Sequence, residues 1–217
     1  MIYNQITDLL TSVSLLPKII TMGFNLFLIN RITRLSRKFQ YLHSIELDSK
    51  VSGMTSDVTH QITKNLYIAI ITNKQYLSIV ITLMMIIVNF SFLTLMYACF
   101  TNTRALYVSM YTYIAKATCN LLYQNTPPDG RFNKYLFPNH HLHWSKNSQT
   151  ETFFSGHSSL MFLALLFCGK TAYPLVLVAT VIMLPLIIIL RIHYVIDIIG
   201  AFLFVYFFNS TIPYSLD

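Results

Sequence analysis

Two clusters in this chain have residue types and spacings suited to acid–base or nucleophilic chemistry. The later one reads His193-Tyr194-Val195-Ile196-Asp197 at the start of an apolar stretch. Residues four apart are stacked neighbours on a helix, so the spacing predicts that Asp197 accepts a hydrogen bond from one imidazole nitrogen of His193 and leaves the other toward a reactant. That is a base or nucleophile held by an orienting acid. Burying a carboxylate in an apolar segment is costly, which favours a functional His/Asp pair over a purely structural one. The earlier cluster reads Glu151-Thr152-Phe153-Phe154-Ser155-Gly156-His157, where a polar loop passes into another apolar stretch. Ser155 is expected to cap a helix, Gly156 to let a ligand approach the backbone, and the first-turn amides to favour a phosphate oxygen. Alone, such a run fits any capped helix; its weight comes from what lies between the clusters.

What lies between is two apolar segments, about Thr152 to Cys168 and Ala172 to Leu190, joined by the short link Gly169-Lys170-Thr171. As antiparallel helices of roughly 26 to 28 Å they go out and back, returning His193 to the end from which His157 departed. Two histidines, one backed by an aspartate, would then converge beside a helix N-terminus. Such a pair suits phosphoryl chemistry: one imidazole attacks phosphorus or takes a proton, and the other protonates the leaving oxygen. Their rings are expected about 5 to 8 Å apart.

The remaining elements read as further membrane crossings. Leu77 to Phe100 is twenty-four residues without a charge. As a helix it would reach roughly 36 Å. Arg104 to Tyr123 carries one interior charge, Lys116, and His193 to Ile212 is the last crossing. Leu9 to Ile29 is apolar but holds Pro17 and Lys18 in its middle; it is read as a sixth crossing, with an interfacial amphipathic helix as the alternative. Residues 31–76 form a basic connector with Arg31, Arg34, Arg37 and Lys38, a surface helix resting on lipid headgroups. The expected fold is therefore an all-α polytopic membrane helical bundle of about six transmembrane helices. Residues 1–76 form an N-terminal membrane or interfacial segment with its connector, and 77–217 the transmembrane catalytic core.

Composition agrees. Of 217 residues, 54% are hydrophobic and 11% charged, where a soluble domain carries about 25% charge. Mean hydropathy is +0.55. The net charge of +7 comes from residues flanking apolar spans, which points to membrane phosphates and not to nucleic acid. Cys99, Cys119 and Cys168 lie far apart in apolar stretches, so no disulfide framework is implied. His140, His141 and His143 have no acid or cysteine at ligand spacing, so no metal is expected. Asn209-Ser210-Thr211 fits a glycosylation acceptor but ends a crossing. Met1 to Asn4 carries no basic run, so a cleaved signal peptide is not expected.

Ser155-Gly156-His157 followed by His193-x-x-x-Asp197 resembles the type-2 phosphatidic acid phosphatase superfamily, and most closely its sphingomyelin synthase branch. That branch has an acid six residues before the first histidine, an aromatic before the Ser-Gly-His run, and a later His-Tyr-x-x-Asp. Glu151, Phe154, Ser155, Gly156, His157, His193, Tyr194 and Asp197 fit it position by position. The resemblance spans about residues 104 to 212 and leaves 1–76 uncovered. The upstream Lys and Arg-Pro pair of the superfamily are absent at their spacings, and Arg191 stands only two residues before His193. Where the synthase branch has Arg-Gly-Thr before a Leu-Pro turn, this chain has Lys116-Ala117-Thr118 before Thr126-Pro127-Pro128, which makes Lys116 the candidate replacement.

The resemblance implies a transferase that moves a phosphocholine or phosphoethanolamine headgroup from a glycerophospholipid to ceramide. His157, His193, Asp197 and Glu151 would be catalytic, and Ser155, Gly156, Lys116, Arg191 and Tyr194 would bind substrate, with no cofactor. Phe153, Phe154, Trp144 and Tyr194 are near enough to contact a choline-like headgroup. Few cations surround the motifs, which suits a singly charged phosphodiester better than a doubly charged monoester. The rivals are a lipid phosphate phosphatase and a non-enzymatic transport protein using the same intramembrane charges. Eleven Lys/Arg lie on the histidine side against two, Arg104 and Lys170, on the other, which by the positive-inside rule makes that side cytoplasmic. The resemblance implies instead a lumenal or extracellular site, in an endomembrane (Golgi-like) or plasma membrane.

Overall fold

The computed structural model describes residues 58–122, 124–125, 151–152 and 154–213, with 17–21, 23–24, 27–28 and 30–32 further upstream. Among them the chain is all-α. The helices are α1 (Val58–Ile62), α2 (Lys64–Thr72), α3 (Lys74–Thr101), α4 (Thr103–Leu122), α5 (Gly156–Phe167), α6 (Tyr173–Ile189) and α7 (Val195–Thr211). A two-residue antiparallel pair, β1 (Gln124–Asn125) with β2 (Glu151–Thr152), brings the backbone at Glu151 beside the end of α4.

Local chemistry sets these boundaries. Asn73 caps α3 by accepting the N–H groups of Gln75 at 3.0 Å and Tyr76 at 3.3 Å, so the helix starts three residues before the apolar run. Asn102 closes α3, and its side chain accepts the Ala105 N–H at 2.7 Å to start α4. Of the about six crossings expected, one helix among the described residues, α3 with 28 residues, is long and apolar enough to span a bilayer. The helices α5, α6 and α7 are apolar but shorter, at 12, 17 and 17 residues.

The shortest of these three is the central one. α5 packs against α3, α4, α6 and α7, and its Ser158, Ser159, Leu160, Met161, Leu163 and Ala164 are all buried. Small buried residues let the helices approach closely: Ser91 on α3 reaches Met161 Sδ at 3.5 Å, Cys99 on α3 meets Ser109 on α4 at 3.7 Å, and Gly200 and Ala201 on α7 are buried. The link expected at 169–171 is tight, with Ala172 and Tyr173 donating to the Gly169 carbonyl at 3.0 and 3.1 Å, and α5 and α6 pack together. Outward, α3, α6 and α7 expose large apolar side chains, among them Ile86, Leu93, Leu175, Val181, Leu203 and Phe207. The apolar surface thus faces out as well as in.

Two positions differ from the sequence reading. Part of the connector 31–76 is not a detached surface helix: α2 packs on α3 and α6, and α1 on α6, burying His60, Tyr67 and Ile70. Lys18 is not stranded mid-span, because its Nζ donates to the Phe100 carbonyl at 3.4 Å, at the negative end of α3. Residues 1–16 and 33–57, including Arg34, Arg37 and Lys38, lie outside the described residues.

At the end of α7 the buried Arg104 donates to the carbonyls of Asn209 and Ile212, the latter at 3.2 Å. These are helix-terminal acceptors that the helix itself does not satisfy. Replacing Arg104 by Met removes charge-assisted bonds and is expected to destabilise the fold by about 2 kcal/mol, read as a lower denaturation midpoint in micelles.

Candidate active site

The two histidines meet: the rings of His157 and His193 stand 6.4 Å apart, centroid to centroid, within the expected range. His157 lies in the first turn of α5, where Ser155 is the N-cap and its hydroxyl accepts the Ser158 N–H at 3.1 Å. Ser155 is fully buried and occupied as a cap, so its contribution is to the helix start.

His193 and Asp197 are paired, with Nδ1 3.3 Å from Oδ2, but not as helical neighbours. α7 begins at Val195, after an extended Tyr194, so His193 precedes the helix. Asp197 is in the first turn and reaches back, accepting the Tyr194 N–H at 3.1 Å with the same Oδ2. This is the acid half of a capping box, which anchors the carboxylate whether or not it does chemistry. Asp197 is 1% exposed, and its Oδ1 has no hydrogen-bond partner among the described residues. Its own main-chain carbonyl accepts the Ser155 N–H at 3.0 Å, joining the two clusters directly. The spacing of residues gives no signal for that bond.

A bulky residue in the left-handed region stands just before Ser155 and another two residues before His193: Phe154 at φ 49° and Arg191 at φ 53°. Such a conformation costs a non-glycine residue roughly 1–2 kcal/mol. At Phe154 the surroundings hold it: its ring stacks on Phe204 at 4.6 Å, and Lys116 Nζ donates to its carbonyl at 2.6 Å while standing 5.3 Å from its ring centre. Lys116, expected to bind substrate, donates here to the Phe154 carbonyl. Its stem runs so close to Gly156 that a Cβ there would sit 2.9 Å from Lys116 Cε. Gly156 therefore makes room for the lysine.

At Arg191 the chain ends α6 in a two-bond turn, with Arg191 N–H to the Ile188 carbonyl and Ile192 N–H to the Ile187 carbonyl, both 2.9 Å. That is a Schellman closure, whose left-handed position is usually glycine. The Arg191 guanidinium lies 4.6 Å over the ring of Tyr67. Tyr194, 7% exposed, packs its ring 5.6 Å from that of His60. His60 and Tyr67 were missed by the sequence reading, since neither belongs to a motif.

The backbone of Glu151 is in β2, but its side chain lies outside the described residues, as do Phe153, Trp144, His140, His141 and His143. No group of three or more potential metal ligands occurs among the described residues. No family model, curated protein or solved structure matches this chain.

Proposed function

We propose that the chain is a polytopic membrane enzyme that transfers a phosphoalcohol headgroup from a glycerophospholipid to a lipid hydroxyl, with ceramide the acceptor that the sequence resemblance suggests. The observation that carries this reading is the pairing of His157 and His193 at 6.4 Å with the buried Asp197 behind one of them. An imidazole on each side of a phosphorus can serve attack and departure without a metal. The outward apolar faces of α3, α6 and α7 support a bilayer as the surroundings, and a shared membrane would supply both substrates.

In this mechanism Nδ1 of His193 donates to Asp197, and Nε2 attacks the phosphodiester. The bond from phosphorus to the diacylglycerol oxygen breaks, and that oxygen takes a proton from His157. The acceptor hydroxyl then attacks the phosphohistidine as His157 takes its proton back, releasing His193. The carboxylate of Asp197 balances the positive charge that His193 carries as the phosphohistidine, created in the first step and removed in the second. By resemblance, Glu151 would steer the His157 proton. Among the described residues, the cations expected at the site, Lys116 and Arg191, contact the Phe154 carbonyl and the Tyr67 ring.

Purified protein in vesicles holding phosphatidylcholine, phosphatidylethanolamine, phosphatidic acid and ceramide tests this by mass analysis of the lipids. Diacylglycerol and a headgroup-bearing sphingolipid are expected in equal amounts. Inorganic phosphate from phosphatidic acid alone would replace this reading with a phosphatase. Solute flux without a lipid product would replace it with transport.

A further inference from the structure

We propose that Tyr67 is a positioning residue for His193, acting through Arg191, and that α1 and α2 form a clamp on the turn that presents that histidine. The inference rests on the proposed function for its effect on turnover, but its structural content stands apart from it. The turn between α6 and α7 holds Arg191 at φ 53° in the position a glycine would ordinarily take. Flanking it, Leu190 and Ile192 are 1% and 2% exposed, so the backbone on both sides is fixed in the core. Arg191 stands two residues before His193, and any relaxation of its left-handed backbone swings His193 relative to Asp197 and His157.

What opposes that relaxation comes from another part of the chain. The Tyr67 ring, 8% exposed, lies 4.6 Å beneath the half-buried Arg191 guanidinium, a cation–π contact. The same segment makes a second contact on the same turn, His60 against Tyr194 at 5.6 Å, and Tyr194 is the N-cap of α7. Two ring contacts from α1 and α2 thus bracket His193 in sequence, one at 191 and one at 194. The residue type at 191 matters here. A glycine would make the same closure without strain but would leave nothing for Tyr67 to grip.

The experiment uses the full chain in vesicles and follows His193 directly, by its rate of modification with diethylpyrocarbonate read by mass spectrometry, alongside turnover. Tyr67→Ala is expected to change the His193 rate about fivefold and to lower kcat about tenfold, with donor KM within about twofold, because the turn moves while the lipid-binding surface does not. Tyr67→Phe keeps the ring and should stay within about twofold on both readouts. Adding Arg191→Gly to Tyr67→Ala should return the His193 rate to near the parent value, since glycine needs no clamp in the left-handed region. If Tyr67→Ala does not fold, Tyr67→Leu fills the space without a π face and is held to the same expectation. A parent-like His193 rate in the variant without a ring, equal damage in Tyr67→Phe, or no recovery with Arg191→Gly each overturns the proposal. A parent protein that forms no lipid product overturns the proposed function instead, and the His193 rate still decides the clamp.

Discussion

Asp197→Asn is expected to lower turnover about 10²- to 10³-fold without loosening the fold. The geometry separates the two things Asp197 does. One oxygen, Oδ2, accepts the Tyr194 N–H at 3.1 Å and stands 3.3 Å from His193 Nδ1, where it accepts the Nδ1–H of the tautomer that the mechanism uses. An asparagine can set its carbonyl oxygen there, because the Tyr194 N–H requires an acceptor at that point. The cap and the imidazole tautomer then survive, and only the negative charge that stabilises an imidazolium is lost. The other oxygen is buried with no partner among the described residues, so exchanging it for an uncharged amide removes part of a desolvation cost. The denaturation midpoint of Asp197→Asn should therefore not fall. Asp197→Ala removes the cap as well and should lose about 1 kcal/mol of stability in addition to activity. Turnover and midpoint measured on both variants check this; near-parent turnover in Asp197→Asn would leave the residue as a helix cap alone.

The sequence makes much of this site legible because its information is local. An N-cap serine before an apolar run, a tight link between two apolar segments, and a histidine near an aspartate are each readable from a few residues, and together they place His157 opposite His193. What was not legible depends on long-range packing. The His193–Asp197 spacing fits a helical pair equally well as a cap, and only the extended Tyr194 decides between them. The bond from Ser155 N–H to the Asp197 carbonyl joins main-chain groups, so no side-chain type announces it. Tyr67 and His60 lie on a stretch that composition marks as a polar connector, yet the helices are short enough to lay one face on α6 and bury those rings. Lys116 was legible as a charge that must find a partner, but its partner is a carbonyl exposed by the left-handed turn at Phe154, a feature no residue type signals.

Lys116 and Gly156 supply the other large expected effect. Lys116→Met is expected to lower turnover about 10²-fold, because the Phe154 carbonyl loses its donor and the turn that starts α5 relaxes, shifting His157 by a fraction of an ångström or more against His193. The fold should persist, since a thioether of similar length fills the space and carries no charge to bury. Gly156→Ala should reproduce the loss from the other side. Its new Cβ would stand 2.9 Å from Lys116 Cε, and the lysine stem, tied at its end by a 2.6 Å bond, can move only by giving that bond up. The two substitutions therefore break one contact, and their effects should not multiply: in the Lys116→Met background the side chain has no bond to lose and swings aside, so Gly156→Ala should add less than about threefold. Turnover of the two single variants and the double, with donor KM alongside, measures this coupling. If the losses multiply, Lys116 acts on substrate independently of Gly156; if they do not, the lysine works by holding the Phe154 turn from which His157 projects.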